Sequence, residues 1–103
     1  MKTGSINLAS SLIIPKEGKF KPNGNKFSFE LFSSDLGAAS ITVTLKGTLS
    51  GTRFGTLANE SGDITETLTS GVALVRTFDA DPEMELRLDC GTGTGTVNYV
   101  ITE

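Results

Sequence analysis

The chain has no histidine and no tryptophan, a single cysteine, a single tyrosine and only three prolines. Each scarcity removes a class of function. Without imidazole, zinc, haem and every catalytic scheme that uses histidine are excluded. Cys90 stands alone, so no intrachain disulfide is available, and its even spacing after Met84, Leu86 and Leu88 marks a buried thiol. With no tryptophan and only Tyr99 there is little surface on which a sugar could stack, which weakens glycosidase and carbohydrate-module readings. Basic residues number nine against twelve acidic ones, a net charge of −3 that argues against nucleic-acid binding. No apolar run reaches the length that crosses a bilayer. The opening MKTGSINLASSLIIP superficially suggests a signal peptide, but Gly4, Ser5, Asn7, Ser10 and Ser11 interrupt it. The expectation is a first strand or flexible arm in a protein made and kept without Sec export.

What is present is threonine, serine and glycine, 36 residues together in a chain of 103, a bias toward strands joined by tight turns. That length gives one domain over residues 1–103. Apolar and polar residues alternate in Phe27-Ser28-Phe29-Glu30-Leu31, in Ile41-Thr42-Val43-Thr44-Leu45-Lys46, in Met84 to Cys90, and at Val97, Tyr99 and Ile101. A period of two places one face on a core and the other in water. No comparable window has a helical period. Breakers at Pro22-Asn23-Gly24-Asn25, where Asn-Gly readily takes the positive φ of a tight hairpin, and at Gly37, Gly51, Ser61-Gly62-Asp63, Ser70-Gly71 and Asp81-Pro82 divide the chain. About seven strands result, near 5–14, 26–33, 39–49, 64–69, 72–78, 84–90 and 96–102. Strands at this spacing predict an all-β, antiparallel sandwich or barrel. Three runs break the alternation: Leu12-Ile13-Ile14, Leu31-Phe32 and Val72 to Val75. Apolar on both faces, they predict either central strands or strands covered by another subunit.

Charge is uneven along the chain. Residues 1–59 carry a net +4 and residues 60–103 a net −7. Such halves either steer docking or neutralise each other when strands interleave. Lys16, Lys19, Lys21 and Lys26, with Phe20 among them, form a lysine-rich loop near 15–26, the first candidate for gripping an acidic partner. The alternative is a soluble loop whose lysines discourage edge-to-edge pairing of sheets. Asp79, Asp81, Glu83 and Glu85 invite comparison with a calcium loop, but Met84 and Cys90 occupy the positions where an EF-hand needs Gly and Glu. A solvated acidic turn is the simpler reading, with a looser calcium site left open. Gly91 to Thr96 lacks the spacing, the lysine and the following helix of a phosphate cradle. Asn59-Glu60-Ser61 is a glycosylation sequon expected to be fortuitous without export. No serine has a histidine to activate it, so no enzyme and no cofactor are expected.

The run Ile41 to Gly51, then Gly62, Thr69-Ser70-Gly71-Val72, Glu85-Leu86-Arg87-Leu88 and Gly91 to Val100, resembles small structural proteins of tailed phages. These are head decoration (cement) proteins and β-sandwich modules of fibres and tails. The resemblance covers about 60 residues and lies in strand rhythm and turn chemistry. Where such modules often carry a tryptophan segment, this chain has Phe54 and Leu57. The resemblance implies a noncatalytic virion component, assembled in the host cytoplasm, that docks on the major capsid protein or another virion protein. It also implies a homo-oligomer, with a trimer among the candidate states. The alternative is a receptor- or carbohydrate-binding module of a tail or fibre.

Overall fold

A computed structural model describes residues 1–9, 13–16, 18–60, 62–91 and 93–102. The alternating segments become strands whose apolar members turn inward. In β3 (Lys26–Phe32), Phe27, Phe29 and Leu31 are buried; in β10 (Glu85–Asp89), Leu86 and Leu88 are; in β11 (Thr96–Ile101), Val97, Tyr99 and Ile101 are. The other principal strands are β1 (Lys2–Asn7), β4 (Ser40–Thr48), β8 (Thr65–Thr69) and β9 (Leu74–Asp79). These seven have five or more residues; with the shorter segments the strands number more than the seven or so expected. Four two-residue segments complete the set: β2 (Ile13–Ile14), β5 (Gly55–Thr56), β6 (Ala58–Asn59) and β7 (Gly62–Asp63).

All pairings are antiparallel. Sheet A has the order β1-β11-β3-β9. In sheet B, β10 lies between β2 and β4, and β4 pairs on its other side with β8 and, further along, β5. The short β6–β7 hairpin lies between β5 and β8 in the chain. Around it Leu57, Leu45 and Ile64 exchange backbone hydrogen bonds of 2.8–3.0 Å, so the ladder along β4 continues past the excursion. The two sheets enclose one core, to which Leu8, Phe20 and Cys90 are added from connecting segments. Phe27 stands at its aromatic centre, edge-on to Phe20 with centroids 5.8 Å apart and stacked on Phe78 at 5.4 Å. The fold is therefore an all-β antiparallel sandwich.

Four expectations change in detail. The first strand is two: β1 belongs to sheet A and β2 to sheet B. A continuous strand over 5–14 would have set Ser10 at a core position in line with Ile6 and Leu8, and the Asn7 side chain instead accepts the Ala9 amide at 2.9 Å in a tight turn. Residues 2–7 are no loose arm, since all six are in register with β11 from Lys2 opposite Ile101 to Asn7 opposite Thr96. Val72 and Ala73 belong to the turn before β9, where Gly71 has φ +81° and donates to the Ser33 carbonyl at 2.7 Å. The Asn23-Gly24 turn, with Gly24 at φ +91°, joins no hairpin. It carries the chain from Phe20, bridged to Leu86 of sheet B, to Lys26 of sheet A.

The opposite charges of the two halves meet inside this fold. Lys19 pairs with Glu85 at 3.1 Å, Lys26 with Asp79 at 3.6 Å and Lys46 with Asp89 at 3.0 Å. Each bond joins a cation of the first half to a carboxylate of the second, because each sheet draws strands from both.

Candidate functional site

The structure separates the loop lysines. Lys26 opens β3 and pairs across to Asp79 of β9, in sheet A. Lys19 lies against sheet B, where its ammonium binds Glu85 and donates to the Gly51 carbonyl at 2.8 Å. Lys16 is exposed beside it and lines the same cavity; Lys21 is exposed and lines none of the principal cavities. Phe20 is no part of a surface grip. It is buried in the core, and its backbone exchanges hydrogen bonds of 2.9 and 2.7 Å with Leu86. A large aromatic between lysines reads as interleaving in sequence, but next to β10 it extends sheet B and fills the core instead.

The cavity near Lys16 and Lys19, about 400 Å³, is also lined by Ile13, Phe54 and Arg87. Arg87 projects from the outer side of β10, since its neighbours Leu86 and Leu88 are buried. Its guanidinium carbon lies 4.2 Å from the centroid of the Phe54 ring. Sequence reasoning did not single out these two residues. The available signal was a lone cation in the cleanest alternating run of the chain.

A second cleft, about 450 Å³, lies where Gly37, Ser40, Thr42 and Thr94 surround Cys90. Burial, reinforced by neighbouring Asp89, pushes the Cys90 thiol up to about 12, so it stays protonated at neutral pH. The Gly91–Thr96 link beside it leads into β11 and no helix. It is anchored by Gly37 N–H to the Thr94 carbonyl at 3.1 Å, Leu8 N–H to the Gly95 carbonyl at 3.0 Å and Thr96 N–H to Asp35 at 3.0 Å.

The acidic run after β9 is divided among separate partners. Asp79 faces Lys26, Glu85 faces Lys19, and Asp81 accepts the Glu83 amide at 2.9 Å in a local turn. Among the described residues no group of three or more carboxylates, thiols or imidazoles could hold a metal ion. The sequon at Asn59 includes Ser61, which lies outside the described residues.

The outer face of sheet A has a different character. Cross-strand register aligns Thr3, Val100, Glu30 and Val75 in one row and Ser5, Asn98 and Phe32 in the next. Val75 is 54% exposed, Phe32 36%, and Val100 is half-buried. Apolar side chains thus reach solvent on three adjoining strands. Val72, in the turn at the end of β9, is 57% exposed.

No protein-family model, curated protein or solved structure matches this chain.

Proposed function

We propose that the chain is a noncatalytic virion protein of a tailed phage that decorates the capsid, docking on the major capsid protein and stabilising the shell. The observation that carries docking is the outer face of sheet A, with Phe32, Val75 and Val100 on three neighbouring strands. Scattered apolar residues are ordinary on a surface, whereas several on one flat sheet face suit a covering partner. Covering that face removes apolar area from water at about 25 cal/mol per Å². Lys26 and Asp79 supply a polar rim, and Glu30 stands within the patch between Val100 and Val75. The kind of partner follows from the resemblance of residues 41–100 to decoration proteins. A small β domain repeated over a symmetric lattice, as a homo-oligomer, gains strength through many weak contacts.

The test is co-sedimentation with empty heads, followed by calorimetry of bare and decorated shells. Decoration raises the shell's melting temperature, because a ligand bound only to the closed shell stabilises it by mass action. Val75→Lys, on an outward position of an edge strand, lowers affinity for heads by about tenfold or more. Its own urea stability shifts by no more than about 0.5 kcal/mol. Shells that melt identically with and without the protein rule the reading out. Binding to host cells or cell-wall sugars without binding to heads replaces it with the tail or fibre module.

A further inference from the structure

We propose that the cavity between Lys16, Lys19, Phe54 and Arg87 is a carboxylate-binding site, filled by a small organic acid or by an acidic side chain of a partner protein. It lies on the outer side of sheet B, opposite the face used for docking, and stands or falls independently of that reading.

The argument begins with the charges along β10. Glu85, Arg87 and Asp89 all point outward from this strand, and register sets Arg87 directly opposite Lys46 of β4. Like charges facing each other across a ladder repel. Both carboxylates are already engaged, Glu85 by Lys19 at 3.1 Å and Asp89 by Lys46 at 3.0 Å. Arg87, between them, makes no ion pair among the described residues. Its Nε is buried and has no hydrogen-bond partner among the described residues. A desolvated cationic donor left in this state is costly, and an anion in the adjoining cavity would relieve it.

The surroundings fit that anion. Phe54 lies against the guanidinium at 4.2 Å, which fixes its plane and shields one side from water. A guanidinium held in one plane offers paired N–H groups that match the two oxygens of a carboxylate. Exposed Lys16, which makes no ion pair among the described residues, adds a further cation at the rim. Ile13 and Phe54 give apolar wall for a short hydrocarbon stem, in about 400 Å³. Glu85 and Asp89 on either side of Arg87 penalise a second negative charge, so a monoanion is favoured over phosphate.

The test titrates the ¹⁵N-labelled protein, at constant ionic strength, with acetate, with inorganic phosphate and with an acetylated, amidated tetraglutamate peptide. The Arg87 Nε–H and Phe54 ring resonances are expected to shift saturably with acetate or with the peptide. A response to acetate assigns the site to small acids, and a response confined to the peptide assigns it to a protein partner. Arg87→Lys, which keeps the charge and loses the fork, weakens the response about tenfold or more, while Arg53→Gln leaves it unchanged. Unchanged amide spectra outside the cavity establish that the variants fold. Silence of the wild type in both carboxylate arms overturns the proposal, as does tighter binding of phosphate than of acetate. A response that appears only in Glu17→Gln also overturns it, since the chain would then supply the carboxylate itself.

Discussion

Asp35 shows how a single exposed carboxylate can tie distant segments together. Its Oδ1 accepts the backbone N–H of Thr96 at 3.0 Å and the Ser33 hydroxyl at 3.0 Å, and these bonds hold its pKa below 3.8. At Asp89 burial pushes the other way but is outweighed by the Gly91 N–H and the Lys46 ammonium, so this carboxyl is lowered too. A group whose pKa is depressed in the folded state contributes stability that is complete above 3.8 and fades as the pH falls through the folded value. Urea midpoints are therefore expected to be flat above pH 5 and to decline below pH 4. Asp35→Asn shallows that decline. Gly95 lies beside the same junction at φ +111°, and a Cβ there would come within 2.5 Å of the Asp35 carbonyl oxygen. Gly95→Ala therefore costs about 1–3 kcal/mol in urea denaturation. None of this could be read from the sequence, where Gly95 looks like one more glycine of a Gly/Thr repeat. Its requirement arises from residue 35, sixty positions away.

At the scale of elements, β10 decides most. It lies between β2 and β4 and is bridged by Phe20, and it carries Leu86 and Leu88 with essentially no exposure. Leu86→Ala is expected to cost about 2–5 kcal/mol, measured as the shift of the urea midpoint at unchanged slope. A shift below 1 kcal/mol would show that this strand is not central. The strand was legible because one-sided burial imposes a period of two on Leu86, Arg87 and Leu88. The same signal located β3, β4 and β11. It failed where no period exists. The change of sheet between Ile6 and Ile13 is set by turn chemistry at Asn7, and the lysine loop divides between two sheets because Phe20 joins β10 while Lys26 begins β3. The Arg87 cavity was equally hidden, since Ile13 and Lys16, Phe54 and Arg87 come from three separate stretches.

For the whole molecule, non-local pairing dominates. Every long ladder except β4 with β8 pairs residues more than thirty-five apart in sequence. Closing such loops precedes any reward from contacts, so folding is expected in milliseconds to seconds, as a single exponential in stopped-flow fluorescence of Tyr99. Microsecond refolding would contradict the topology. The buried Cys90 reports the same cooperativity: at pH 8 its reaction with a thiol reagent is expected to track global unfolding.

The position of β11 between β1 and β3 has one more consequence. Remove it, and the two strands it separates stand a double strand spacing apart, about 9–10 Å, too far for amide and carbonyl to meet. A polypeptide cut before Thr96 therefore keeps almost all of its residues and loses the keystone of one whole layer, while a peptide of residues 96–102 added back has a ready-made slot. Complementation by that short peptide, restoring an otherwise unfolded remainder, would turn this arrangement into a split reporter.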